Sequence, residues 1–251
     1  MGSRPKKPDT AKSQVPATHG AQQAASSQAK ETIAQEEKEM RIVTPSIEIV
    51  TPLDGNAVVK HIERCGRVCY KSEDRIIDGS AQKFIKAIID CGHESVLEHF
   101  SITVKFIVDR GVSHEIVRHR LASYSQESTR YCNYSKGEFG SEITVVKPPF
   151  FDVGDAGYVC WKAACEEAEE AYFALLNIGC TPQEARSVLP NSLKTELYMT
   201  ANLREWRWFF RKRAAPDAHP QMREVAYPLL AQMSNMIPGV FDDLGDCHDK
   251  P

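Results

Sequence analysis

The sequence predicts an α+β domain in which a mixed sheet is flanked by helices. Three observations lead there. Phe100, Ile102, Val104, Phe106 and Val108 alternate with Ser101, Thr103, Lys105, Ile107 and Asp109, the period of two of a half-buried strand. Segments of helical period surround that run but do not alternate with strands as in a doubly wound sheet. No G-x-G-x-x-G follows any strand, which argues against a Rossmann nucleotide site.

Along the chain, residues 1–40 are rich in Ala, Gln, Ser, Lys and Pro, with hardly a large apolar side chain before Ile33. Such a stretch buries too little surface to offset its ordering entropy, so a disordered extension is expected before a single folded domain over 41–251. Its acids Asp9, Glu31, Glu36 and Glu37 oppose a transit peptide. Ile42–Val50 reads as a strand ending at Thr51-Pro52. Ala57–Tyr70 reads as a helix with Val58, Ile62 and Cys65 on one face. Ser80–Cys91 is a second helix, stopped by Gly92. After the strand of period two, Ser113 is expected to cap a short helix carrying Ile116, Val117 and Leu121. Ser123–Arg130 has no period and reads as a loop. Ile143–Val146 is a short strand, and Asp155–Gly179 the longest helix. Thr181-Pro182-Gln183-Glu184 is a capping box with proline at the first helical position. Leu193–Ala201 alternates weakly as a strand. Asn202 then caps a helix reaching Arg213. The last helix begins at Pro220 and buries Met222, Val225, Ala226, Leu229, Leu230 and Met233, with a kink expected at Pro228.

The 251 residues are 42% apolar, enough for one real core. A net charge of −3 leaves no global basic field, which argues against a grip on long nucleic acid. The eight cysteines are scattered without a C-x-x-C pair or a secretory signal. They read as reduced thiols in a cytosolic or nuclear compartment, and a cytoplasmic location is expected. No apolar run approaches the ~20 residues that cross a bilayer, so no membrane partner is expected.

One segment, RHRLASYSQESTRY, concentrates chemistry. Arg118, His119 and Arg120 follow an amphipathic run, and Ser128, Thr129 and Arg130 come at a fixed distance. Guanidinium forks beside hydroxyls suit phosphate. The bland alternative is a basic helix end followed by a polar loop. Tyr124, Tyr131 and Tyr134 are candidate stacking platforms for a single strand, a reading the acidic balance disfavours. Four histidines, His93, His99, His114 and His119, lack recognised zinc spacing, and the arginines beside His119 oppose a dication, so no metal is expected. Arg204, Arg207 and Arg211 share one helical face. Arg207 and Arg211 read as solvated. Cys69 and Cys132 read as buried thiols rather than nucleophiles.

These pieces together resemble the flavin-dependent thymidylate synthase family. Arg118, His119, Arg120, Ser128 and Arg130 match R-H-R-x7-S-x-R. Gly92-His93-Glu94 precedes it, Arg186 sits in ARSVLP, Asn202-x-Arg204 follows a strand, and Arg213-Ala214 closes the same helix. The likeness covers about residues 41 to 240. It implies an FAD- and NADPH-dependent methyltransferase, with methylenetetrahydrofolate as one-carbon donor and dUMP converted to dTMP. It also implies a homotetramer with active sites at subunit interfaces. The Pro-Cys-His nucleophile motif of the classical thymidylate synthases is missing; the lone Cys-His dipeptide is Cys247-His248. Carried over by position, Arg213 is the main catalytic residue and also a dUMP contact. Glu115, Arg118, Gln126, Glu127, Ser128, Thr129, Arg130 and Arg186 complete the dUMP set. His93, Ser95, Arg118, His119, Arg120, Gln126, Asn202, Arg204 and His219 are implied at FAD. Glu115 and Gln126 look exchanged relative to relatives, which moves a charge. Trp208 stands where relatives carry Asn or His, so no flavin role is carried over to it.

Overall fold

The computed structural model describes residues 40–136 and 141–245. Four antiparallel strands form the main sheet: β2 (Ser46–Ile49), β3 (Ser101–Asp109), β4 (Ala122–Gln126) and β6 (Lys194–Asn202), in the order β2-β3-β6-β4. The two long strands pair over their whole length, from Ser101 opposite Asn202 to Asp109 opposite Lys194. A separate parallel pair joins β1 (Arg41–Val43) to β5 (Thr144–Val146). Around them pack α1 (Gly55–Arg67), α2 (Ser80–Asp90), α3 (Arg110–Ile116), α4 (Ala156–Asn177), α5 (Pro182–Ala185), α6 (Leu203–Arg213), α7 (Pro220–Met236) and α8 (Asp242–Gly245). A mixed α+β domain is what the hydrophobic periods require.

Ile102, Val104, Phe106 and Val108 are buried, and so are Leu197, Met199 and Ala201 opposite them. This face meets the aromatic side of α6, where Trp206 lies 6.4 Å from Phe106 and donates its indole N–H to the Ile102 carbonyl at 3.1 Å. The contact satisfies the polar end of a fully buried ring. Helices α1, α2 and α7 complete this main core. Gly55 lets α1 approach α7 closely, since a Cβ there would stand 1.7 Å from the Met236 carbonyl oxygen. A second cluster, including Tyr172, Tyr134, Ile143 and Leu193, lies under α4.

Several expected elements differ in detail. The run expected as one strand over Ile42–Val50 is two, β1 and β2, broken at Thr44-Pro45, because proline removes a ladder donor. Ser123–Arg130 is not wholly a loop, since β4 occupies its first half as the edge strand beside β6. Its alternation is hidden because an edge strand of Ala, Ser, Tyr, Ser and Gln buries little. The short helix α3 is capped by Asp109, whose carboxylate accepts the Val112 N–H at 2.8 Å. Ser113 instead sits inside that helix and donates to the Arg110 carbonyl. Gly92 ends α2 at φ +70°, with the His93 N–H returning to the Ile88 carbonyl at 2.8 Å. Helix α7 runs through Pro228. Met40, assigned by composition to the extension, is buried in the second cluster; the rest of residues 1–40 and the Cys247-His248 pair lie outside the described residues. No helix of the described residues is long and apolar enough to cross a membrane.

Candidate active site

Helix α3 organises the site. It leaves the end of β3 and returns the chain through Arg118-His119-Arg120 to β4. Arg110 and His114, one turn apart on α3, face a cavity of 640 Å3 also lined by Thr129, Gln183, Arg186, Ser187 and Asn191. Arg186 follows α5 and donates to the Thr129 hydroxyl at 3.4 Å. Arg130 donates to Gln183 at 3.2 Å, and the Arg130 N–H to the Ser128 hydroxyl at 3.4 Å. The capping box holds this corner, with the Thr181 N–H on the Glu184 carboxylate at 2.7 Å. The cavity therefore gathers guanidinium, hydroxyl and amide donors, the chemistry of a phosphate site.

Glu115, the residue after His114 on α3, begins a chain of contacts among four side chains. Arg213 Nη1 donates to the Glu115 carboxylate at 2.5 Å and Nη2 to the Glu115 carbonyl at 3.0 Å. Its Nε donates to His119 Nε2 at 3.1 Å. His119 Nδ1 lies 3.1 Å from Glu205 Oε1, with both residues buried. The imidazole also packs on Phe209, ring centroids 5.0 Å apart. Burial, and then the Arg213 cation, push His119 down to about 4, so the ring is neutral at pH 7. Burial raises the Glu205 carboxyl above the usual range. Among the described residues, three of the five N–H groups of Arg213 are engaged, and the side chain is still partly exposed, so two can turn to a ligand.

The remaining expected residues are spread apart within the protomer. Gln126 turns inward, donating to Ser113 at 3.0 Å and Thr195 at 3.2 Å. Glu127 accepts from the Tyr134 hydroxyl at 3.0 Å, and Lys194 lies 3.1 Å from its other oxygen without hydrogen-bond alignment. Arg118 and Arg120 are exposed, as are His93 and Ser95. Asn202 spends its carbonyl oxygen on the Glu205 N–H as the cap of α6. Arg204 pairs with Glu98 at 2.6 Å on the exposed side of that helix. His219 meets Phe150 edge-on at 5.7 Å. Glu205, Phe209 and Arg213 occupy one face of α6, and Arg204, Arg207 and Arg211 the opposite one. The chain thus holds the Arg204 group away from Arg213.

Three sequence readings change here. Arg207 is fully buried rather than solvated. It is clamped by Glu94 at 3.1 Å and by both Asp243 oxygens at 2.7 Å, and it also donates to the Val240 carbonyl. Its place among Trp206, Phe209 and Phe210 was the available signal. Tyr124 and Tyr134 are not stacking platforms: Tyr124 bonds the His119 carbonyl at 2.5 Å, and Tyr134 is buried. Neither Cys69, which is exposed, nor Cys132, which is half-buried, is a fully buried thiol. Arg110, Asn191 and Glu205 were not singled out, and His114 was weighed only as a metal ligand, because only the fold brings them to these contacts.

An α+β domain with a cavity lined by guanidinium, hydroxyl and amide groups, and a second arginine held by a neutral histidine, defines a class whose donor chemistry suits a small anion. Comparison with known proteins narrows the class. Residues 55–239 match the profile of thymidylate synthase complementing protein. Among curated proteins, a flavin-dependent thymidylate synthase of Mycolicibacterium gilvum is 34% identical over 217 residues, covering 79% of this chain and 84% of the relative. One from Pyrococcus furiosus is 34% identical over 184 residues, covering 73% and 75%. Among solved structures, the UMP/dUMP methylase PolB from Streptomyces cacaoi bound with 5-Br dUMP superposes with a TM-score of 0.65 at 26% identity, covering 82% of this chain and 97% of that one. The chain belongs to the thymidylate synthase complementing protein family, the flavin-dependent thymidylate synthases.

Proposed function

We propose that this protein reductively methylates dUMP to dTMP, with methylenetetrahydrofolate as one-carbon donor and NADPH-reduced FAD as hydride source. The observation that carries the reading is that one short helix, α3, supplies Arg110 and His114 to the phosphate-type cavity of Arg186 and Thr129 and Glu115 to the clamp on Arg213. The family's curated names and the methylase likeness support it.

In this reading Arg186, Arg130, Ser128 and Thr129 hold the phosphate of dUMP, with Arg110 and His114 on the cavity wall. Arg213 directs its unused N–H groups at the pyrimidine and stabilises negative charge on the ring during reaction. Such stabilisation raises electron density at ring carbon 5 without a protein nucleophile. Glu115 holds that guanidinium in place, and Gln126 and Glu127 brace the wall beside it. FAD, when bound, supplies the hydride.

The donor set fits a dinucleotide diphosphate. Arg118 and Arg120 are exposed cations, and Arg204 is held by an exposed carboxylate pair that a phosphate can replace. His93, Ser95, Asn202 and His219 add further polar groups, whereas His119 is buried with both ring nitrogens engaged and has neither left for the flavin, against the role expected for it. Arg204 and Arg213 lie on opposite faces of α6, and in this reading the two sets that meet one FAD come from different protomers. The proposal therefore includes a homotetramer with shared sites.

Two measurements test it. Purified protein given FAD should show a flavin absorption that bleaches with NADPH in the presence of dUMP. Tritium release from [5-3H]dUMP should require NADPH and methylenetetrahydrofolate, and Arg213→Ala should cut it at least about a hundredfold while FAD stays bound. Wild-type protein that binds dUMP but neither holds flavin nor releases tritium would sink the reading.

A further inference from the structure

We propose that Glu205 is a positioning residue: its carboxylate sets the tautomer of His119, so that the Nε2 lone pair fixes the Nε–H of Arg213. The inference deepens the proposed reaction and rests on it for its catalytic consequence, while its structural content stands alone.

The logic begins with Arg213. A guanidinium donates hydrogen bonds and accepts none. His119 Nε2, 3.1 Å from Arg213 Nε, must therefore be the acceptor, so the ring proton resides on Nδ1. Nδ1 faces Glu205 Oε1 at 3.1 Å, and that oxygen must accept. A neutral carboxylic acid or an amide N–H at this point would favour the opposite tautomer and set two donors against each other at Nε2.

Glu205 and Arg213 are eight residues apart on α6, about 12 Å along the axis, too far to touch directly. The imidazole spans that gap. Phe209, between them on the same face, packs on the ring and helps hold its orientation. The second hold on Arg213 is Glu115, which grips the two Nη groups from α3 and leaves Nε to His119. Together the two holds fix both the position and the plane of the guanidinium. Loss of either frees it to rotate, and preorganised electrostatic stabilisation depends on that plane. The arrangement repeats the physics by which a carboxylate orients a histidine in other active sites, here aimed at an arginine instead of a nucleophile.

The test uses full-length protein with 15N-labelled histidine, His119 being assigned from the signal missing in His119→Gln. Wild-type His119 should appear as the neutral Nδ1–H tautomer at pH 7. A wild-type ring protonated on Nε2, or a mixture, overturns the proposal whatever any variant does. Glu205→Gln should lose the tautomer preference, lower kcat at least tenfold and leave KM for dUMP within about twofold. An unchanged tautomer and kcat in a folded Glu205→Gln protein would equally overturn it. Wild-type tritium release is the control that separates the two readings. If it is absent, the proposed reaction fails while the ring measurement still decides the role of Glu205.

Discussion

At the residue scale, the site works through charges that are denied water. His119 is buried, and its neutrality follows from the cost of ionising it beside Arg213. Glu205 and Arg213 face it from α6, and Glu115 faces Arg213 from α3. Stability should carry the mark of this burial. Below pH 6.5 the unfolded chain protonates this histidine, whereas the folded chain resists until about 4. The folded state therefore loses stability as pH falls through that window, by up to about 3 kcal/mol. Urea unfolding at pH 7 and pH 4.5 checks it. Wild-type protein should lose more stability between the two than His119→Gln, in which this proton cannot bind. Equal losses would show that His119 titrates normally in the fold. The exchange of Glu115 and Gln126 also acquires a physical meaning. The carboxylate at position 115 touches Arg213 directly, and the amide nitrogen at 126 donates to the Ser113 and Thr195 hydroxyl oxygens, which a carboxylate cannot do.

At the element scale, α3 is the short piece on which both halves of the site depend. Seven residues cannot hold a helix by propensity alone. Asp109 supplies the missing order, capping Val112 with one oxygen and accepting from Gln221 of α7 at 2.7 Å with the other. Asp109→Ala removes the cap and strands a buried amide, which should cost about 2 kcal/mol. It should also raise KM for dUMP, because Arg110 and His114 ride on the same turn. Asp109→Asn keeps an acceptor for Val112 and should retain most of the stability. Thermal melts of the three proteins, read beside dUMP titrations, separate these effects. An undamaged Asp109→Ala protein would mean that β3 and β6 alone position the helix.

At the scale of the whole molecule, Arg207 joins three distant segments. It ties α6 to Glu94, just past α2, and to Asp243 in α8. Burial pushes the Glu94 carboxyl up, but Arg211 and Arg207 together hold it below the usual range. The same turn carries His93 and Ser95, so this ion cluster also fixes where those side chains emerge. Arg207→Met keeps the volume and removes the charge, leaving two carboxylates without their buried partner. Glu94 keeps Arg211 and Asp243 is half-exposed, so the loss should be about 1–3 kcal/mol. Adding Glu94→Gln and Asp243→Asn to it should recover much of the loss. Denaturant midpoints of the two variants check the claim, and a single variant as stable as wild type would contradict it.

The sequence by itself determined the local signals. The strand from Phe100 to Val108, the Asn202 cap, the capping box at Thr181 and the stop at Gly92 each rest on neighbours within a few residues. The arginine-rich signature was legible for the same reason, since its spacing is written in one segment. Only the tertiary structure decided which groups meet. Glu205 reached His119, β4 formed from a polar stretch beside β6, and Arg207 went inside. Each of those outcomes depends on partners tens of residues away, and a charge is stable in the interior only once such partners surround it.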